Sequence, residues 1–463
     1  MRTAPVPSGV PLRVAVPVVS GAAGRRRRNP ASVRGWLEPS IVACALLVVF
    51  CTRIESVSFW PDESQWIATS YFFEGFLDRL GAPFLWDESY WTLTQPPVTR
   101  YVIGLGRLGG GYGIRSLNEP WEFKSDDTAN LAKGAMPGPG LLWWSRLPMA
   151  LLTVLSILIL FCLVTRAAGR AAGYTLVLLL AGNPYVYTTL CRAMSEAPLL
   201  ACVSLAMLAS DWALGYWQRA ARASHPSISA LRPAAACFLL MGSVCGLGAA
   251  TKLNGFATVA AGLALCVLAA VTHAGNVTKS VRATFVIAVC GLLLLGTGVV
   301  FVAANPYLYP DPLGRTLGMF SFRLTELQKH LDLYPRFAIH GLGTRFDVVS
   351  RRVFQEFAAV SVHGGRFINL LLCTIGTCVL VRAAWSWLHG NETGGTSMVL
   401  VVVALTTATP ALLTPLDWDR YYLLPVIFST VGIAVGIAGC ASSLLTLVWS
   451  RRASEVDLLR TCA

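Results

Sequence analysis

Charged residues are scarce in this sequence. Asp, Glu, Lys and Arg make up 13% of the 463 residues, about half of the roughly 25% that soluble domains carry. Hydrophobic residues make up 55%, and the mean hydropathy is +0.59. This balance excludes a disordered chain, a collagen-like fibre and an ordinary cytosolic enzyme, and it predicts a polytopic membrane protein.

The sequence also lacks the cysteine patterns of zinc sites and disulfide frameworks. Its 13 cysteines lie mostly in apolar stretches, without a CxxC pair or a Cys/His spacing typical of a metal site. We interpret them as small packing residues. The polar segment 55–142 contains no histidine, so a metal site there would consist of carboxylates, which suit Mg, Mn or Ca. Nothing in the sequence requires a metal, and its identity stays unknown.

The apolar stretches predict an all-α membrane protein with about ten transmembrane helices. The candidate spans are 37–54, 143–165, 172–190, 196–214, 234–250, 253–272, 283–303, 367–384, 397–414 and 422–448. Tryptophans cluster at many of their ends, as expected for residues at a membrane interface.

Basic residues predict the orientation of the chain. Four arginines at 25–28 precede the first span and should hold that end in the cytoplasm. The predicted organisation is a cytoplasmic disordered basic tail (1–36), a transmembrane domain (37–450) and a cytoplasmic tail (451–463). Segments 55–142 and 304–367 are then outer loops, and both termini are cytoplasmic in the cell or inner membrane. Because the net charge of +13 serves topology, we expect no nucleic-acid partner.

An acid pair, Asp62 and Glu63, follows the first span directly. One interpretation is a helix cap, in which Asp62 and Gln65 form a capping box. The other is a catalytic carboxylate pair held at the membrane interface. The two are compatible, because a cap fixes the position of its carboxylate.

Two amphipathic helices are predicted to lie on the bilayer surface within the first outer loop. In the first helix, the apolar face consists of Trp66, Phe73, Leu77 and Leu80. The second helix starts at Pro96 and Pro97. Its apolar face consists of Val98, Tyr101, Val102 and Leu105, with Arg100 and Arg107 on the opposite side. A second acid pair, Asp87 and Glu88, lies between the two helices, is flanked by aromatic residues and offers candidate second acids of the site.

The order of these motifs resembles that of the GT-C membrane glycosyltransferases, in particular the protein O-mannosyltransferases and the aminoarabinose transferases that modify lipid A. Their first outer loop carries an acid pair and then a His-Pro-Pro or Lys-Pro-Pro motif, whose first position is Gln95 here. Further similar segments are 146–148, 192–198, 251–255, 305–312 and 419–425, in which Glu196 stands where Asp is common. The likeness covers about 37–312 and 417–426.

The resemblance implies sugar transfer from a polyprenyl-phosphate donor to a protein, lipid or glycan acceptor on the outer face, in the cell envelope. Such a reaction needs a base for the acceptor hydroxyl and cations for the departing phosphate. We expect Asp62 to be the base and Glu63 to orient it or bind a metal. A single displacement would invert the anomeric centre.

Three cations at the outer ends of different spans are candidates for the phosphate site: Lys252, Arg192 and Arg420. The alternative for each is a side chain that reaches the lipid headgroups, although the tight turn after Lys252 favours an inward position. Glu196 is either a salt-bridge partner of Arg192 or a site acid. We interpret His330, His340 and His363 as solvated or core residues. The cationic segment 313–366 either covers the site, receives an anionic acceptor or is a solvated face.

The main alternative from another class is a transporter or flippase, and a third is an inactive scaffold of the same fold. Transporters usually carry ionisable groups near the bilayer midplane. Spans 143–165, 172–190, 283–303 and 422–448 have no charged residue in their interiors. The acids cluster at the outer edges instead, which favours an interfacial enzyme.

Overall fold

A computed structural model describes residues 33–78, 83–222, 228–272, 278–360, 364–391 and 393–462. Within these ranges the regular structure is helical, apart from one isolated bridge between Ala338 and Leu416. The α-helices of the described residues are α1 (Val33–Thr52), α2 (Pro61–Ala68), α3 (Phe72–Leu77), α4 (Tyr90–Thr94), α5 (Val98–Gly109), α6 (Asp127–Ala132), α7 (Pro139–Ala168), α8 (Arg170–Gly182), α9 (Pro184–Cys191), α10 (Glu196–Ala221), α11 (Ile228–Thr251), α12 (Phe256–Val271), α13 (Lys279–Ala303), α14 (Pro312–Leu333), α15 (Leu342–Arg351), α16 (Gly365–Leu388), α17 (Gly395–Leu413) and α18 (Leu423–Cys462). The predicted all-α class is confirmed.

Eight of these helices are long and apolar enough to cross a membrane, namely α7, α10, α11, α12, α13, α16, α17 and α18. Two shorter apolar helices, α1 and α8, occupy the positions of two further predicted spans. The protein is therefore a multi-pass integral membrane protein. Of the predicted cytoplasmic tail, residues 1–32 lie outside the described part of the chain.

The predicted span 172–190 is interrupted after Gly182. Pro184 has no backbone N–H to continue a helix, and the Asn183 side chain accepts hydrogen bonds from the backbone N–H groups of Tyr185 and Val186, at 2.9 and 3.3 Å. Asn183 therefore ends α8 and caps α9.

The centre of the bundle is α10, which packs against α7 and α11, while α16 packs against α18. The α16–α18 contact depends on close backbone approach. A Cβ atom added to Gly376 would lie 1.9 Å from the carbonyl oxygen of Gly432. Small residues allow membrane helices to approach this closely.

The first predicted amphipathic helix is not continuous. Helix α2 ends at Ala68, a 3₁₀ turn follows, and α3 begins at Phe72. Trp66 is buried within the protein, whereas Leu77 is exposed; Leu80 lies outside the described residues. The prediction of one surface-lying apolar face is therefore wrong, because the turn rotates α3 relative to α2.

The second predicted helix exists as α5, but its arginines face the protein. Arg100 and Arg107 are buried, whereas Leu105 is exposed. Arg100 donates to Thr69 Oγ1 at 3.0 Å, and Arg107 donates to Ser70 Oγ at 2.7 Å. Burial lowers the pKa of Arg100 to about 10, so the side chain stays charged at neutral pH. The prediction of an outward-facing arginine side is wrong, because partners inside the protein bind both guanidinium groups: the hydroxyls of the preceding turn, the Gln95 carbonyl for Arg100, and the Glu74 carboxylate for Arg107.

Candidate active site

Glu63 is buried and fully engaged. Its carboxylate accepts two hydrogen bonds from Arg146, at 2.8 and 2.6 Å. It also accepts from the backbone N–H groups of Trp60 at 3.0 Å and Ala193 at 2.8 Å. This one side chain therefore joins the start of α2 to α7 and to the segment before α10. Its role is to hold these segments together.

The predicted capping box of Asp62 and Gln65 is wrong. Helix α2 starts at Pro61, and Glu63 accepts from the N-cap residue Trp60. Gln65 instead donates to the carbonyl oxygen of Trp121 at 3.0 Å. With proline at the first helical position, the N-cap is Trp60, two residues earlier than the sequence pattern indicated.

Because Glu63 forms the cap, Asp62 remains available for another role. Its Oδ2 atom accepts from Arg420 at 2.7 Å, and the indole N–H of Trp60 is 3.4 Å from the same oxygen. No described residue hydrogen-bonds to the other carboxylate oxygen, Oδ1. The side chain is partly exposed. Asp62 is thus held in place by Arg420 and keeps one acceptor oxygen open.

Lys252 and Glu196 form a second ion pair. The Lys252 ammonium lies 2.9 Å from Glu196 Oε1, and Ser195 Oγ lies 3.4 Å from Glu196 Oε2. Both oxygens of the buried Glu196 are therefore engaged. Glu196 was expected to pair with Arg192 if it formed a salt bridge; its partner is Lys252 instead.

The turn between α11 and α12 fixes the position of Lys252. The Thr99 hydroxyl of α5 donates to the carbonyl oxygen of Thr251 at 3.3 Å. A Cβ atom added to Gly255 would lie 2.3 Å from the carbonyl carbon of Gly248, so glycine is needed where the turn folds back on α11. These contacts place Lys252 beside the first loop.

A cavity of about 370 Å³ unites several of the predicted site residues. Gln95 and Pro96 of the first loop, Lys252 of the α11–α12 turn and Arg420 all line it. Pro97, beside them, precedes α5. The predicted loop-positioning residues and two predicted phosphate ligands therefore converge, although more than 150 residues separate them in the sequence.

Helix α14 supplies a further wall of the cavity, through Phe320, Arg323, Leu324 and Leu327. Of the three interpretations of segment 313–366, this placement corresponds to a segment that covers the site. Arg323 has no hydrogen-bond or ion-pair partner among the described residues. In the sequence it is one of seven arginines in segment 313–366, and nothing in their spacing singles it out.

Gln95 presents an unpartnered acceptor. Its side-chain Oε1 atom is buried, and no described residue hydrogen-bonds to it. A buried polar atom without a partner is costly, so a ligand hydroxyl or N–H at this position would be stabilising. Gln95 therefore suits a role in substrate binding.

Arg192 lies beside the acid pair rather than on the cavity wall. Its guanidinium lies 4.7 Å from the centre of the Trp60 ring, and its Nε atom is buried without a hydrogen-bond partner among the described residues. Burial lowers the pKa of this guanidinium from its ordinary value. Arg192 thus adds positive charge near Asp62.

The second acid pair does not join this site. Asp87 and Glu88 are both exposed, and neither side chain contacts Asp62, Lys252 or Arg420 among the described contacts. Ser89, the next residue, caps α4 by accepting from the backbone N–H of Thr92 at 3.2 Å. The pair therefore marks the start of a helix.

The three histidines have different positions. His330 packs edge-on against Trp418, with ring centres 5.1 Å apart, and burial lowers its pKa. His340 is exposed, and His363 lies outside the described residues. His330 is therefore a packed neighbour of the segment that carries Arg420.

Arg352 fixes that segment. It donates to both carboxylate oxygens of Asp417, at 2.9 and 3.0 Å, and it lies 3.3 Å from Asp419. Tyr185 also donates to the carbonyl oxygen of Asp419 at 2.5 Å. The residues on either side of Trp418 are thus fixed, which positions Arg420 next in the chain. Sequence analysis did not identify this role of Arg352.

The acid pair does not fit a metal centre. Asp62 binds Arg420, and Glu63 binds Arg146 and two backbone N–H groups. Across the described ranges, no group of three His, Cys, Asp or Glu side chains could hold a metal ion.

No family model matches the sequence, and no curated protein matches it. Among solved structures, ArnT from Cupriavidus metallidurans bound to undecaprenyl phosphate has 16% identity and a TM-score of 0.46, over 88% of this chain and 60% of that one. The oligosaccharyltransferase AglB from Archaeoglobus fulgidus was solved in complex with an inhibitory peptide and a dolichol-phosphate. It has 15% identity and a TM-score of 0.43, over 91% of this chain and 52% of that one.

The Pmt1-Pmt2 protein O-mannosyltransferase complex of S. cerevisiae, bound to the sugar donor, has 15% identity and a TM-score of 0.40, over 58% of this chain and 33% of that one. All three proteins are GT-C superfamily glycosyltransferases, the superfamily that the motifs of this sequence resemble. The chain spans about 60% of the length of ArnT and smaller shares of the other two.

Proposed function

We propose that the protein transfers a sugar from a polyprenyl-phosphate donor to an acceptor hydroxyl on the outer face of the membrane. The observation that supports this most directly is the pairing of Asp62 with Arg420 at the edge of the cavity. An open carboxylate oxygen thus lies next to a cation to which we assign phosphate binding. A base and a leaving-group site are what such a transfer requires.

In the proposed step, the acceptor hydroxyl gives its proton to Asp62 Oδ1 while its oxygen attacks the anomeric carbon. The bond between that carbon and the phosphate oxygen breaks, and the polyprenyl phosphate leaves with the bonding electrons. Because both oxygens of Glu196 are engaged by Lys252 and Ser195, the site offers no second free carboxylate as a nucleophile. We therefore infer a single displacement with inversion.

The charges of the site favour the departing phosphate. The site contains four cations and two carboxylates. Arg420 pairs with Asp62, and Lys252 pairs with Glu196. Arg323 and Arg192 add two further positive charges. The donor phosphodiester carries one negative charge, whereas a phosphomonoester carries about 1.5 to 2 at pH 7. The excess of positive charge therefore stabilises the leaving group more than the bound donor, which is the condition for catalysis.

The distribution of charge along α10 argues against the transporter alternative. Between Glu196 at its start and Asp211 in its second half, this central helix has no charged residue. Asp211 pairs with Arg166 and accepts from Thr396 at 2.6 Å. At about 1.5 Å per residue the two acids are roughly 22 Å apart. The interval between them carries no charged residue, whereas transporters usually have ionisable groups near the bilayer midplane.

The test is sugar transfer by the purified protein with a polyprenyl-phosphate sugar donor and an envelope acceptor fraction. We expect Asp62→Asn to lower turnover by about 10²- to 10⁴-fold, the usual contribution of a general base, and to leave binding of undecaprenyl phosphate intact. Asp127→Asn, an exposed acid of the same loop, is the matched control. Turnover of Asp62→Asn close to that of the control would remove Asp62 from this role.

A further inference from the structure

Three aromatic side chains lie around the Asp62–Arg420 pair and the adjoining helix α14. Trp60, just before α2, is 46% exposed, and its indole nitrogen lies 3.4 Å from Asp62 Oδ2. Tyr90, on α4, is 47% exposed, and its ring packs edge-on against Phe322 of α14, with ring centres 6.1 Å apart. Trp418 lies over the Arg420 guanidinium, at 5.2 Å. We call these three residues the aromatic shelf.

Arg420 connects the shelf with the cavity. It lines the cavity together with Lys252 and Arg323, and it also pairs with Asp62 and lies against Trp418. A displacement needs an acceptor site next to the phosphate site, because the attacking hydroxyl and the departing phosphate take opposite sides of the anomeric carbon.

The shelf offers ring surface and little hydrogen-bonding capacity. Arg192 lies over one face of the Trp60 indole at 4.7 Å, yet nearly half of the residue remains exposed. The face of an aromatic ring is electron-rich and attracts the C–H groups that one side of a sugar ring presents. Asp62 Oδ1, next to the shelf, can accept a hydrogen bond from a sugar hydroxyl.

A peptide acceptor can be recognised by different features. One common mode holds an extended peptide by backbone hydrogen bonds to the edge of a sheet. In the part of the chain that the structure describes, the only strand-like pairing is the bridge between Ala338 and Leu416, and Leu416 is buried. The open surface beside Asp62 is aromatic instead, which favours a sugar.

We propose that the aromatic shelf of Trp60, Tyr90 and Trp418 is the acceptor subsite and that the acceptor is a carbohydrate, rather than a serine or threonine of a protein. This inference rests on the proposed function, since it assigns the second substrate of the same reaction. A sugar hydroxyl placed against Asp62 gives up its proton there and attacks the donor held in the cavity.

Binding can be tested without turnover, by saturation-transfer NMR on the full chain in nanodiscs free of glycoside detergents. The probes are the methyl pyranosides of glucose, mannose and galactose, and separately a peptide rich in Ser and Thr. Trp60→Ala and Tyr90→Ala remove shelf rings, and Tyr90→Phe keeps one. Trp385→Ala, an exposed tryptophan on α16, is the matched control. Undecaprenyl phosphate binding to each variant is measured by native mass spectrometry.

We expect at least one pyranoside to bind the wild-type protein. Binding should weaken about two- to tenfold in each alanine variant, the usual range for an aromatic contact, and stay unchanged in Tyr90→Phe and Trp385→Ala. The inference is overturned if no pyranoside binds, if the alanine variants bind like the control, or if the peptide binds in a shelf-dependent way. Undecaprenyl phosphate binding that persists in those cases leaves the proposed function standing. Pyranoside binding without undecaprenyl phosphate binding supports the shelf and contradicts the donor assignment.

Discussion

Replacing Glu63 with glutamine should destabilise the whole membrane domain. Glu63 is 0% exposed and accepts four hydrogen bonds, two of them from Arg146. Glutamine has nearly the same size, but it replaces one acceptor oxygen with an N–H₂ group, which cannot accept hydrogen bonds from Arg146 or the backbone N–H groups. Removing one partner of a buried ion pair typically costs about 3–5 kcal/mol. We expect a loss of this order in the free energy of unfolding.

The cysteines of the protein provide the assay. Cys191, Cys202, Cys245 and Cys266 are buried, so a thiol-reactive fluorescent dye reports their exposure as the protein unfolds on heating. The matched control is Glu122→Gln, because Glu122 forms an exposed pair with Lys133 at 3.2 Å and such pairs contribute little. We expect an unfolding temperature several degrees lower for Glu63→Gln than for the control.

An unfolding temperature equal to that of the control would refute this reasoning. It would mean that the four hydrogen bonds of Glu63 do not hold the start of α2 against α7. Asp62, whose position depends on the same turn, would then lack the support that its proposed catalytic role requires.

Three further predictions concern single side chains. Arg323→Gln should raise the donor KM more than it lowers kcat, because a cation without another partner contributes mainly to phosphate binding. The control is Arg366→Gln, which removes an exposed pair with Asp347. An unchanged KM in Arg323→Gln would exclude Arg323 from the site. Arg352→Gln should lower kcat, because it releases the segment before Arg420. Arg352→Lys should retain a kcat between those of Arg352→Gln and the wild-type protein, since lysine cannot bind both oxygens of Asp417. Full activity of Arg352→Gln would contradict this positioning role. Burial lowers the pKa of His330, so the unfolded state binds more protons than the folded state between that lowered pKa and about 6.5. Stability therefore falls as the pH decreases through this range. His330→Asn should reduce this loss of thermal stability, and an unchanged pH profile would show that His330 does not cause it.

The sequence predicted the span regions well, because about 20 consecutive apolar residues are needed to cross a bilayer. It also predicted the turn that holds Lys252, since only Leu253 and Asn254 separate that residue from Gly255. Helix α8 was misjudged because its apolar pattern continues past Gly182. The pattern does not reveal that the Asn183 side chain accepts hydrogen bonds from the next turn.

Pairings between distant residues could not be predicted from local patterns. Arg420 follows Asp62 by 358 residues, and Arg146 follows Glu63 by 83. The two carboxylates look alike in the sequence. In the structure, both oxygens of Glu63 accept hydrogen bonds, whereas Asp62 keeps one oxygen without a partner among the described residues. Arg100 and Arg107 were assigned to solvent because charged residues are rarely buried. Their partners include hydroxyls of a turn and the carboxylate of Glu74, and the sequence does not specify the path of the chain that carries them.

The most direct test of the account is an experimental structure of the protein in nanodiscs with undecaprenyl phosphate. The account predicts the phosphate within hydrogen-bond distance of Lys252 and Arg420, with Asp62 beside it and the lipid chain leaving toward the membrane. Phosphate density on the opposite side of the bilayer, or at a site remote from Lys252 and Arg420, would contradict it.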